Sequence, residues 1–155
     1  MVPVQVQRLN KDNFIHWRPQ IAELIDTSAS INFQGYELSN DYGDKRCEEL
    51  VTYIKDGSAI VFVAYENSTL FGWLWCHGIR RINRNRLHIA EISVVDEHKR
   101  KGVGKTLLHT AEKYAKENDY QEVDLLVTAG NCDAVSFYES SSYSVERYLM
   151  KKEIF

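Results

Sequence analysis

Apolar side chains recur along this chain with two periods, close to 2 and close to 3.6, and the changes between them lay out the elements. Val2 to Arg8 alternates weakly and predicts a first strand. Asn13 to Asp26 then places Phe14, Trp17, Ile21, Leu24 and Ile25 at helical spacing, with Pro19 inside the pattern, where a proline kinks a helix. Gly35 and the polar cluster Ser39, Asn40 and Asp41 break the chain before a second helix, Asp44 to Lys55, through Cys47, Leu50 and Ile54. Ser58 to Tyr65 is short, apolar and rich in β-branched residues. Glu66, Asn67 and Ser68 make a turn, and Thr69 to His77 carries Leu70, Phe71, Trp73, Leu74 and Trp75, so the pair predicts a hairpin. A polar, basic connection, Arg80 to Arg86, leads to a strand from Leu87 to Val95 that Asp96, Glu97 and His98 close.

From Gly102 to Asn118, Val103, Leu107, Leu108, Ala111 and Ala115 recur every three or four residues and predict an amphipathic helix opening on a glycine-rich turn. Glu122 to Val127 predicts a fifth strand, Asp133 to Glu139 a short helix, and Ser144 to Ile154 a closing strand containing Tyr148 and Met150. No repeat, linker or low-complexity tract interrupts this order, which is that of one α/β domain over residues 1–155.

A chain of 155 residues is long enough to bury a core without disulfide or metal staples. Its 19 basic and 22 acidic side chains leave a formal charge of -3, so no global basic field draws it to nucleic acid or to an anionic membrane. Cys47, Cys76 and Cys132 are odd in number, widely spaced and form no CxxC pair, which indicates neither a disulfide framework nor a metal site. Cys132 reads as a structural thiol. Met1 to Asn10 lacks the charged start and apolar run of a secretion signal, and no apolar stretch reaches membrane-spanning length. The expectation is a soluble cytoplasmic protein.

The candidate chemistry centres on Lys99-Arg100-Lys101-Gly102-Val103-Gly104-Lys105-Thr106, which follows a predicted strand and opens a predicted helix. A helix N-terminus presents unpaired amides and the positive end of its dipole, and glycines let backbone approach a phosphate closely. Lys99, Arg100, Lys101 and Lys105 add charge suited to a polyphosphate. The competing reading is a solvated basic turn, and the surrounding sequence separates the two. A Walker loop needs a glycine where Lys99 stands, and a dinucleotide fingerprint needs one where Leu107 stands.

Lys99-Arg100-Lys101-Gly102-Val103-Gly104 resembles the acyl-CoA loop of the GNAT acetyltransferase superfamily: Arg or Gln, any two residues, Gly, any residue, then Gly or Ala. Ile89-Ala90-Glu91-Ile92-Ser93-Val94 is similar to the family's fourth strand, and Asn131-Cys132-Asp133-Ala134-Val135-Ser136-Phe137-Tyr138 to its later Asn, Ala, aromatic-Tyr signature. The resemblance covers residues 58–155 and reaches the N-terminal part only in the order of elements. Two departures stand out: Lys99 replaces the usual Arg or Gln, and Ser142-Tyr143 replaces a common Gly-Phe pair.

The resemblance implies a central, mostly antiparallel mixed sheet flanked by helices. It also implies direct transfer of an acetyl group from acetyl-CoA to an amine. A bulged fourth strand would offer the backbone of Ile92, Ser93 and Val94 to the pantetheine arm, with Asn131 holding that arm and Lys99 to Lys105 taking the phosphates. The Val94 amide would polarise the thioester carbonyl, and Tyr138 would give the departing thiolate its proton. An alkyl ammonium must lose a proton before it attacks, and Glu91 and then His88 are the candidate bases. Each has a plain structural alternative. Glu91 faces solvent or pairs with the Arg80 to Arg86 cluster, His88 is a strand histidine, and Tyr138 packs with Phe137 in a core. A family variant with glutamate on the fifth strand does not carry over, because Leu126 occupies that position.

Acceptor choice is expected from the two N-terminal helices, the Glu66 to Ser68 turn and the Arg80 to Arg86 connection, which would surround the open side of the site. Trp17, Phe33, Tyr36 and Tyr42 are available to cage a cation, whereas the alternating Trp73 and Trp75 read as core. The leading reading is a small-molecule amine. Acetylation of a protein amine and a non-catalytic acyl-CoA-binding regulatory module are the alternatives, and the closing strand offers an edge for a homodimer.

Overall fold

The structure, a computed structural model, describes residues 4–155, so Val2 and Pro3 of the predicted first strand lie outside the described residues. In chain order the elements are β1 (Gln5–Arg8), α1 (Lys11–Asn32), α2 (Tyr42–Lys55), β2 (Ile60–Glu66), β3 (Thr69–Arg80), β4 (Asn85–Val94), α3 (Val103–Glu117), β5 (Glu122–Leu125) and α4 (Cys132–Ser140). One 3-10 turn, Asp96–His98, joins β4 to the loop before α3.

The strands form one sheet in the order β1-β2-β3-β4-β5. Neighbours are antiparallel except β4 and β5, so the sheet is mixed and mostly antiparallel. Alternation sorts the side chains to its two faces. Val61, Val63, Trp73 and Trp75 join Phe14, Trp17, Ile21, Ile25 and Leu50 under α1 and α2. Phe62, Leu74, Leu87 and Ile89 join Val103, Leu107, Leu108 and Ala111 under α3.

Local chemistry explains why α1 starts where it does and why it outruns its prediction. The Asn10 side chain accepts from the amides of Asp12 and Asn13 at 2.9 Å each, and the Asn10 amide in turn donates to Asn13 Oδ1 at 2.7 Å. This reciprocal cap fixes the start. Pro19 lies on the exposed side and the helix runs through it. Beyond Asp26, Thr27 and Ser30 bond carbonyls of their own helix, at 3.0 and 2.7 Å, and the helix reaches Asn32.

The predicted closing strand is corrected: Ser144 to Ile154 forms no strand, and among the described residues the outer edge of β5 is unpaired. The segment has no alternation to commit to a face, since Tyr148, Leu149 and Met150 are consecutive and all exposed. It is held by side chains instead. Glu146 makes a bidentate pair with Arg86, 2.7 Å on each arm, and Lys151 lies 5.7 Å over the Tyr36 ring. No described helix is long and apolar enough to cross a membrane.

Candidate active site

The sheet opens at one place. β4 pairs with β5 only from Arg86 and Glu122 to Ile89 and Leu125, after which the two strands part. On its other side β4 stays bonded to β3, but the register passes from Trp75 opposite Glu91 to Cys76 opposite Ile89, which leaves Ala90 as the extra residue of a bulge. The bulge turns Glu91 to the face beside Trp75, under α2, while Ile92 and Val94 pack with the α3 side. The backbone of residues 90–94 therefore borders an opening that no strand fills among the described residues.

The glycine loop stands at this end of the sheet. Gly102 has φ +88°, a left-handed conformation that glycine adopts without strain, and caps α3 with no side chain over it. The first helical amide with a partner is that of Thr106, bonded to the Gly102 carbonyl at 3.0 Å. The amides of Val103, Gly104 and Lys105 precede it and have no acceptor inside the helix. Nothing lies within 4 Å of the position where a Gly102 Cβ would sit. Arg100, Lys101 and Lys105 are free of ion pairs among the described residues, whereas Lys99 is bound to Asp96 at 2.8 Å. This donor set fits a phosphate-bearing ligand.

Gly104 has a separate task. A Cβ there would lie 3.2 Å from Phe137 Cζ and 3.7 Å from Val94 Cγ2, so the missing side chain lets α4 close over the start of α3 and the end of β4. The two sequence signatures thus meet in space. Asn131 caps α4: its Oδ1 accepts from the Ala134 amide at 3.3 Å and its Nδ2 donates to Asn32 Oδ1 of α1 at 3.3 Å. Tyr138 follows Phe137 and packs edge-on to it at 5.2 Å and to Tyr143 at 6.0 Å. Burial pushes its phenol up to about 12.

Ser142, at the first departure from the Gly-Phe pair, has φ +69°. That conformation explains why glycine suits the position. Ser142→Gly is expected to stabilise the fold by about 1 kcal/mol, read as a higher midpoint in urea with an unchanged slope. At the second departure, the Tyr143 hydroxyl reaches Glu112 of α3 at 3.1 Å.

Glu91 neither faces open solvent nor pairs with the arginine cluster. Its side chain is 21 % exposed, and its charged partner is Arg46 of α2, with Nη2 3.9 Å from Oε1. Burial pushes its carboxyl up to about 7 against the opposing pull of Arg46. Arg46 itself lies 4.8 Å over the Trp75 ring and is bonded to Glu49 at 2.6 Å. Glu91 Oε2, Arg46 Nε and the indole nitrogens of Trp73 and Trp75 are buried without a protein hydrogen-bond partner. Trp73 and Trp75 are core residues, as their alternation predicts, yet both present polar edges on this one face. Helical spacing on α2 singles out Cys47 and Leu50. It carries no sign that the neighbouring Arg46 reaches β4.

His88 is bonded through Nδ1 to Asp124 Oδ1 of β5 at 2.6 Å, where the two strands are still paired, and His77 lies 5.2 Å away. The Arg80 to Arg86 connection is corrected in position. Four residues or roughly 13 Å before Ile89, where β4 and β5 part, and roughly 20 Å along β4 from Glu91, Arg80 faces Asn85. There Arg80, Arg81, Arg84, Arg86 and Arg147 line an open cleft, and Arg86 is bound by Glu122, Asp124 and Glu146. Cys132, read as a structural thiol, is exposed on the first turn of α4, and its one polar contact is the Gly130 carbonyl at 3.7 Å. Burial pushes the Cys47 and Cys76 thiols up to about 11 and 12. Among the described residues no group of His, Cys, Asp and Glu is placed to hold a metal ion.

Known proteins share both the sequence pattern and the architecture. An N-alpha-acetyltransferase of Saccharolobus solfataricus is 29 % identical over 111 residues, covering 64 % of this chain and 65 % of that protein. A spermidine N(1)-acetyltransferase of Thermoplasma acidophilum is 29 % identical over 103 residues, covering 66 % and 62 %. The matches span less than two thirds of each of these relatives. A crystal structure of an aminoglycoside acetyltransferase from an uncultured soil metagenomic sample, in complex with trehalose, superposes with a TM-score of 0.73 at 18 % identity, covering 98 % of this chain and 95 % of that one. The sequence model of the acetyltransferase (GNAT) family matches residues 19–143. With that match spanning most of the chain, and the glycine loop, bulged β4 and capped α4 meeting at one opening, the protein belongs to the GNAT acetyltransferase family.

Proposed function

We propose that this chain moves an acetyl group directly from acetyl-CoA to the amine of a small molecule at the opening between β4 and β5. The observation that carries the reading is Glu91: a carboxyl turned inward by a bulge, beside that opening, with burial bringing its ionisation close to neutral pH. Acetyl-CoA supplies an activated thioester. The open amides of Val103, Gly104 and Lys105 and the side chains of Arg100, Lys101 and Lys105 bind its phosphates. The backbone of Ile92, Ser93 and Val94 and the cap residue Asn131 hold the pantetheine arm, and Lys99 contributes charge shared with Asp96.

The chemistry divides between two side chains. Glu91 takes the proton that the attacking nitrogen gives up as the N–C bond forms and the C–S bond breaks. Tyr138 serves the leaving sulfur as a hydrogen-bond donor. With its phenol near 12, handing a full proton to a thiolate of ordinary acidity spans roughly 3.5 pH units, about 5 kcal/mol, so donation without complete transfer is the cheaper course. Tyr138→Phe is expected to lower kcat by about 10- to 100-fold, the worth of one charge-assisted hydrogen bond, with little change in acetyl-CoA affinity.

The short His88 to Asp124 bond favours a second reading in which His88 is the base and Asp124 sets its tautomer. The decisive assay is thiol release from acetyl-CoA across a panel of amines, with Glu91→Gln and His88→Gln compared. Loss confined to His88→Gln transfers the role to His88. Tight acetyl-CoA binding with no turnover on any amine sinks the enzyme reading in favour of a binding module. The unpaired edge of β5 and the exposed run Tyr148 to Met150 support a homodimer, which light scattering checks by mass.

A further inference from the structure

We infer that Arg46 makes this a site for amines of low basicity, of the α-amino type beside a carbonyl, and sets it against polyamines. The inference rests on Glu91 as the base. The guanidinium of Arg46 is fixed rather than mobile: Glu49 holds it at 2.6 Å, the Trp75 ring lies 4.8 Å beneath it, and its side chain is only 27 % exposed. It stands 3.9 Å from the carboxylate oxygen that the attacking nitrogen must approach.

Three considerations support the inference, two from that placement and one from the amines themselves. First, the seat that would recognise an organic cation is already filled. An aromatic face and a buried carboxylate together attract an ammonium, but here Arg46 covers Trp75 and faces Glu91, while Tyr53 stacks on Trp75 at 6.2 Å. Second, an ammonium within bonding reach of Glu91 would lie about 5 Å from a fixed positive charge, which disfavours its entry on the order of 10-fold relative to the same site without Arg46. A neutral amine meets no such barrier. Third, amines differ greatly in how much neutral form they offer. At pH 7.5 an α-amino group with a pKa near 8 is about one quarter to one third neutral, whereas an alkyl amine with a pKa near 10.4 is about 0.1 % neutral.

Among the other titratable groups around Glu91, only the Glu49 carboxylate, 2.6 Å from Arg46 and 52 % exposed, offsets part of this charge. From α2 the Cys47 thiol also faces it, and the Glu49 carboxylate is spent on Arg46. β3 presents the neutral rings of Trp73 and Trp75, and His88 of β4 is bonded to Asp124. Arg18 and Asp26 of α1 and Asp44 of α2 act on Cys47. Arg46 is a positioning and selecting residue in this scheme. The amine nitrogen forms the new bond to the acetyl carbon, the thiolate leaves, and the amine proton goes to Glu91.

The test compares kcat/KM for alaninamide, for a short peptide with N-terminal alanine and for spermidine, at saturating acetyl-CoA and pH 7.5. The expected result is a preference for the α-amines of at least 10-fold. In Arg46→Met the ratio of spermidine to alaninamide activity should rise at least 10-fold, and in Arg46→Lys it should stay near its original value. Similar rates on alaninamide and peptide identify a small-molecule source of the α-amine, and a peptide preference identifies a polypeptide N-terminus; both uphold the α-amine. Wild-type preference for spermidine overturns the inference without any variant, so it does not depend on Arg46→Met folding. Turnover with an unchanged ratio in Arg46→Met overturns it and leaves Glu91 as base intact. No turnover on any amine overturns the proposed function and this inference with it.

Discussion

Glu91→Gln is expected to lower kcat by about 10²- to 10⁴-fold and, in the same protein, to raise the melting temperature. The two effects share one cause. Burial lifts the Glu91 carboxyl from an ordinary value of 4.5 to about 7, so between these values the folded protein holds a proton there that the unfolded chain has released. Between those two values the native state binds more protons than the unfolded state, and stability falls as pH rises. Above pH 7 the folded protein carries a partly buried carboxylate at a cost of up to roughly 3 kcal/mol, which glutamine does not incur. Arg46 keeps its bond to Glu49 in the variant, so little is lost on that side.

For a chain of this size the gain corresponds to a rise of roughly 5–10 °C at pH 8, shrinking towards zero at pH 4.5. Activity runs the other way, because the base must be ionised: kcat of the wild type is expected to climb with pH through a limb near 7 that glutamine abolishes. Scanning calorimetry at three pH values and a pH–rate profile check both halves. A variant that is inactive but gains no more over the wild type at pH 8 than at pH 4.5 would show that Glu91 carries no buried charge. This opposition of stability and activity is what a functional carboxyl in a desolvated place imposes.

The legible parts of the molecule were those with a local physical cause. Period and punctuation located four helices and five strands because amphipathic faces must be buried and glycine or polar clusters must turn. The Asn131 to Ala134 spacing is legible through the family signature, and the structure supplies its local cause: an asparagine at the start of a helix accepts from the amide three residues on. Gly102 is legible as part of a glycine-rich turn before a helix, and its φ of +88° gives the structural reason for glycine there.

What was not legible is what depends on partners distant in sequence. Tyr148 to Met150 carries strand-like residues, but a strand exists only with a ladder to join, and the segment is held by the Arg86 to Glu146 pair instead. The basic connection was expected beside the site because its charge is visible and its position along the sheet is not. Register alone puts Arg80 opposite Asn85, at the far end of β4. Arg46 lay hidden because no local pattern marks a surface-looking residue of α2 that bends over Trp75 to meet β4.

The same dependence on distant partners makes Gly43→Ala the most damaging small substitution expected in this fold. Gly43 is the second residue of α2, where alanine would ordinarily favour the helix by up to about 1 kcal/mol. Here a Cβ would sit 2.2 Å from the carbonyl oxygen of Ala22 and 2.9 Å from its carbon, both backbone atoms of α1. Neither can step aside as a side-chain end does, so α1 and α2 must separate. Separation also strains the bond from the Gly43 amide to Asp26 Oδ1, now 2.7 Å, and loosens Cys47 and Leu50 in the core. Overpacking of this kind costs about 2–4 kcal/mol after the helical gain, or roughly 5–12 °C of melting temperature. Since α2 carries Arg46, the variant is also expected to narrow the gap between spermidine and α-amine rates while still folded at low temperature. Gly130→Ala is the control, because nothing lies within 4 Å of its Cβ position, and its melting point should move little. If the two variants melt alike, the close crossing of α1 and α2 is not what fixes Arg46, and the rigidity on which acceptor selection depends must come from Glu49 and the Trp75 ring.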